Sequence, residues 1–115
     1  MCVPTTVQAL TAYLCQLQTL CQRANPNGLA LQEQFLLAQQ HFQTQVLPLG
    51  ENGSTSRQPV LTEMNRTFRL LAMDVAFLQT ARQPLKAQQR QHQMDEKIQQ
   101  LLAFCQALSQ VASER

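Results

Sequence analysis

Residues 61–82 read LTEMNRTFRLLAMDVAFLQTAR. Leu61, Met64, Phe68, Leu71, Val75 and Leu78 recur in alternating steps of three and four, the spacing that aligns side chains on one face of an α-helix. With Leu61, Phe68, Val75 and Arg82 at heptad position a and Met64, Leu71 and Leu78 at d, that face forms a complete bundle seam. Leu70 and Phe77 then fall at c and Met73 at f, on the outward side, while Asp74 falls at g, on the border of the core. The helix is therefore apolar almost all the way round, with one acid set into it.

Working outward, three more segments carry the same periodicity. About Thr5 to Ala24, Val7, Leu10, Leu14, Leu17 and Cys21 form a seam that ends at Asn25-Pro26-Asn27-Gly28, where proline disfavours helix in the residue before it and Gly or Asn accept positive φ. About Leu29 to Leu47, Leu31, Phe35, Ala38, Phe42 and Val46 form a second seam, closed by Pro48 and the run GENGSTSRQP. Thr55 or Ser56 is the expected N-cap of the third helix, with Pro59 in its first turn. Pro84 is expected to open the fourth helix, about Leu85 to Ala112, seamed by Met94, Ile98, Leu101, Cys105, Leu108 and Ala112 behind two polar turns. Short connections make sequential helices antiparallel neighbours. The expected fold is all-α, an antiparallel up-down-up-down four-helix bundle with a longer second hairpin, in a single domain over residues 1–115.

Leu70, Met73 and Phe77 make a surplus stripe, since positions c and f of a bundle helix normally face water. Exposing them forgoes roughly 1.5 to 3 kcal/mol each relative to burial. Two explanations stand open. Either the back of this helix is covered by the fourth helix or the 48–57 loop, or the stripe is a contact surface for a second copy or a partner, extended by Leu36 and Leu37. Asp74, half out of water, needs a cation. Counting turns places it beside Arg90 to Lys97 on the fourth helix and near Arg23 on the first, so a structural ion pair of Asp74 with Arg23 or Arg90 is expected.

Charge is near balance at formal +2, and roughly a fifth of the chain is Gln. From Arg57 to Arg90, however, six cations (Arg57, Arg66, Arg69, Arg82, Lys86, Arg90) face only Glu63 and Asp74. Gathered beside the stripe, they can steer an acidic surface toward it. Leu70, Met73, Phe77, Arg66, Arg69 and Arg82 are accordingly the candidate partner-binding residues. Nucleic acid is not the expected partner, because stacking needs exposed aromatics among the cations and apart from Phe77 the phenylalanines lie on or beside core stripes.

Catalytic patterns are weak. Neither His41 nor His92 falls in an HExxH or a Glu-x-x-His pattern, the glycines form no phosphate loop, and Cys2, Cys15, Cys21 and Cys105 contain no C-x-x-C pair. Cys21 and Cys105 fall on seams and are expected to be buried structural thiols, while a Cys15–His41 nucleophile is a remote alternative. No catalytic, cofactor-binding or metal-binding residues are assigned. The start MCVPTTVQALTAYLC does not read as a signal peptide, and no apolar run reaches the 18 to 20 residues or so that cross a bilayer. A non-enzymatic, soluble cytoplasmic protein is expected.

The segments FRLLAMDVAFLQTARQP (68–84), QQRQHQM (88–94) and KIQQLLAFC (97–105), with HFQTQVLPL (41–49) upstream, resemble the cyanobacterial heterocyst frequency control protein PatD family. The resemblance spans most of the chain and is weakest before Leu29. It implies a non-enzymatic regulator in the cyanobacterial cytoplasm that acts on cell division, with the tubulin-like protein FtsZ as partner, and on heterocyst frequency. A homodimeric helical scaffold and a weak nucleic-acid-binding bundle are the competing functions.

Overall fold

The computed structural model describes residues 2–23, 28–48, 57–80 and 82–113. The expected caps Thr55 and Ser56, the turn 24–27 and most of the 48–57 loop lie outside them. Among the described residues all regular structure is helical: α1 (Cys2–Cys21), α2 (Gly28–His41) running into a π-helical turn (Phe42–Val46), α3 (Arg57–Thr80) and α4 (Pro84–Ser113). Each helix packs against two others, α1 on α2 and α4, α3 on α2 and α4, in an elongated bundle 48 × 20 × 20 Å.

One core runs the length of the bundle, built from the four seams, with Leu78 only partly buried and the Ala112 side chain outside the described ones. Leu10, Leu14 and Leu17 of α1, Met64 and Leu71 of α3, and Met94, Ile98 and Leu101 of α4 are fully out of water. Phe68 anchors α3 to α2, stacked on Phe42 with ring centroids 4.9 Å apart and tilted toward Phe35 at 6.2 Å. Such pairs add about 0.5–1.5 kcal/mol beyond the area they bury. Thr67 is buried one heptad before Asp74 in the same g row. Its hydroxyl is satisfied within α3, donating to the Glu63 carbonyl at 2.8 Å.

Several boundaries differ from the periodicity. The first helix begins at Cys2 rather than Thr5; Pro4 falls in its first turn, where the missing N–H has no intrahelical acceptor to lose. It ends at Cys21 rather than Ala24, because Gln91 of α4 donates from Nε2 to the carbonyls of Cys21 and Arg23 and closes the helix there. The second helix does not stay α-helical to Leu47. Phe42 to Val46 widen into a π turn, with the Leu47 N–H bonded to the Phe42 carbonyl, and Phe42 and Val46 remain fully buried through it. Apolar spacing is too coarse to register one widened turn.

Candidate functional site

Asp74 is the first point at which packing creates chemistry. Its side chain is only 3% exposed, yet both carboxylate oxygens are held by cations of α4: Oδ1 takes a hydrogen bond from Arg90 Nη1 at 2.8 Å, and Oδ2 lies 2.7 Å from Lys97 Nζ. The Lys97 contact is ionic rather than an aligned hydrogen bond, leaving Oδ2 without a directional donor. A carboxylate this far from water is tolerable only when paired. The Arg90 partnership follows the turn count, but Arg23 does not take part. It sits exposed past the end of α1, and the second cation is Lys97. Arg90 and Lys97 are seven residues apart on α4, so two helical turns put both on the flank that faces position g of α3; that spacing was the available signal for a two-cation clamp.

The outward stripe begins beside this clamp. Leu70 is 42% exposed, Met73 66% and Phe77 37%. α4 therefore leaves Leu70 and Met73 largely uncovered and reaches only Phe77. Phe77 is the least open of the three because the Arg90 guanidinium lies over its ring, 4.1 Å from the centroid. One side chain thus spans two environments. Its Nη1 neutralises a buried acid while its face covers an exposed aromatic, a cation–π contact worth about 0.5–2 kcal/mol that heptad positions alone did not reveal.

Cations border the stripe on both flanks. Arg66, Arg69 and Arg82 are exposed on or just beyond α3, with Lys86 exposed on α4; the Arg57 side chain is outside the description. Arg66 is loosely paired with Glu63 at 3.8 Å, with both side chains largely solvated, an arrangement that contributes at most about 1 kcal/mol. Leu36 and Leu37 of α2 are half exposed. α2 lies on the other flank of α3, where Gln79 Nε2 donates to the Gly28 carbonyl at 2.7 Å, opposite the flank where Asp74 meets α4.

Of the other reactive side chains, His41 helps to hold helices together. His41 Nε2 faces the Thr6 carbonyl at 2.9 Å, which requires the ring N–H there, and the ring rests 5.4 Å from that of Tyr13. Cys15 is exposed, whereas Cys21 and Cys105 are buried. Burial pushes the Cys21 thiol up to about 11, helped by the nearby negative charges of Asp95 and Asp74. Burial likewise raises Cys105 to about 11, against a lowering hydrogen bond with Thr11. A hollow of about 220 Å³ beside Cys21 is lined by Gln22, Gln88, Gln91, His92 and Asp95. With its thiol held protonated, it offers amides, an imidazole and a carboxylate but no thiolate nucleophile. Among the described residues no three His, Cys, Asp or Glu side chains converge as a metal site, and no helix is long and apolar enough to cross a membrane.

The model of a protein family described as the CRR41 C-terminal domain matches residues 6–106. No curated protein and no solved structure matches the chain.

Proposed function

The chain belongs to the CRR41 C-terminal domain family, and we propose that it works as a non-enzymatic protein–protein interaction module whose docking face is the outer side of α3. The observation that carries this is the exposure of Leu70, Met73 and Phe77, contiguous at i, i+3 and i+7 and set among cations. Apolar area of this kind, rimmed by polar groups, is the usual mark of a recognition surface. In this reading the scaffold is an up-down-up-down four-helix bundle with antiparallel neighbours. Level-matched contacts between distant residues support that order: Gly28 with Gln79, Cys21 with Gln91, and Asp74 with Arg90 and Lys97. The second hairpin is the longer, since α3 and α4 have 24 and 30 residues against 20 and 14 for α1 and α2.

The resemblance to PatD stands apart from the family match and supplies a candidate partner and setting: FtsZ, in the cytoplasm, with an influence on cell division and heterocyst frequency. Light scattering of polymerising FtsZ, with and without this protein, tests it. The expected result is a change in polymerisation with the native chain and none with the double variant Leu70→Gln, Met73→Gln. Identical traces with and without the native protein remove FtsZ as the partner. Nucleic-acid binding is disfavoured by Phe77, whose ring face is already occupied by Arg90.

A further inference from the structure

Resting on the interaction-module reading, we propose that the occupant of the α3 face is an acidic amphipathic helix, and that Arg90 receives its carboxylate. The rim chooses between a second copy and a different partner. Arg66 and Arg69 border the stripe on α3, and Arg90 and Lys97 border it on α4. The two acids near it are matched by cations already counted, Asp74 by Arg90 and Lys97 and Glu63 loosely by Arg66, so four cations against two acids leave the rim net positive. A symmetric dimer through this face sets each patch against its own copy, so cationic rim meets cationic rim. Like charges brought together at an interface are costly, whereas a partner carrying acids around an apolar ridge is complementary. Leu70, Met73 and Phe77 form a helical ridge, no strand occurs among the described residues, and a ridge of this spacing packs against the grooves of another helix.

Arg90 is built to take part without unmaking the fold. A guanidinium carries five N–H donors, and the contact with Asp74 runs through Nη1. The side chain is 30% exposed and held in place by Phe77 beneath it, so its orientation is set before a partner arrives. Lys97 is the second half of the device. Because its ammonium is 2.7 Å from the other Asp74 oxygen, Arg90 can share or transfer its charge to an incoming carboxylate while the buried acid stays paired. A single-cation site lacks this freedom, since losing its partner strands the acid in the core.

Fluorescence anisotropy tests the proposal with a labelled synthetic four-turn peptide carrying Leu at i, i+3 and i+7 flanked by Glu, and a counterpart in which every Glu is replaced by Gln. The Glu peptide is expected to bind about ten-fold tighter at low salt, as charge-assisted recognition requires, with the gap closing as salt is added. Arg90→Gln, which leaves Asp74 its Lys97 partner and keeps the helical circular dichroism, is expected to narrow the gap by weakening the Glu peptide alone. Equal affinities for the two peptides, or a gap that Arg90→Gln leaves unchanged, overturns the proposal. If Leu70→Gln with Met73→Gln still abolishes binding of both peptides in that case, apolar docking stands and only the acidic partner is lost. No binding of the Glu peptide, or a native dimer in sedimentation that the same double variant dissociates, also overturns it.

Discussion

Replacing Asp74 by alanine tests the energetics of the α3–α4 clamp most directly. Stranding one member of a buried pair typically costs 3–5 kcal/mol. In Asp74→Ala, however, the members left behind are Arg90 and Lys97, 30% and 22% exposed on flexible stems, and both can swing their charge into water. The expected destabilisation is therefore about 2 kcal/mol. For a chain of 115 residues, an unfolding entropy of about 2.1 cal/mol/K per residue makes that a fall in Tm of about 8 °C. The reverse perturbation separates a clamp from an ordinary surface pair. Arg90→Met or Lys97→Met alone leaves the acid one cation and is expected to cost about 1 kcal/mol, while the double variant strands a carboxylate that is 3% exposed and is expected to cost about 3–5 kcal/mol. Urea unfolding followed by circular dichroism reads all four proteins. Additive single effects, or a loss below about 0.5 kcal/mol for Asp74→Ala, would refute the assignment of a buried, doubly held acid.

Three further outcomes follow from other contacts. Gln91→Ala removes the donor shared by the Cys21 and Arg23 carbonyls and should lower stability by about 1–2 kcal/mol, with faster amide exchange in the last turn of α1; unchanged exchange counts against the cap. With Cys21 and Cys105 raised from 9.0 to about 11, the folded state holds protons that the unfolded chain releases. Their contribution is thus fully present below pH about 9 and is lost as pH climbs through about 11, by up to about 3 kcal/mol per thiol; Cys21→Ala should flatten that alkaline slope, and only Cys15, among these three, should label rapidly with a thiol reagent at pH 8. Leu70→Gln and Met73→Gln replace exposed side chains and should each change stability by no more than about 0.5 kcal/mol, so a larger loss in urea unfolding would show that they are structural.

The amino-acid sequence alone determined the helical class, the core seams and the surplus on α3, because burial in a helix bundle is written as a period of 3.6 residues and every buried seam obeys it. Leu70, Met73 and Phe77 were legible for the same reason, as apolar residues left over once the seam was full. Tertiary structure decided what periodicity does not encode: which cation reaches which acid, and where a helix stops. Counting turns puts Arg23 after α1 and Arg90 and Lys97 on α4 all near the level of Asp74, and only the packing of α4 against α3 brings two of them within 3 Å of it. Gln91 looked like one more solvating amide until α1 placed its last carbonyls against it. Hydrogen bonds and ion pairs depend on distances of a few tenths of an ångström between chain segments remote in sequence, whereas hydrophobic burial is nearly indifferent to direction and can be read one element at a time.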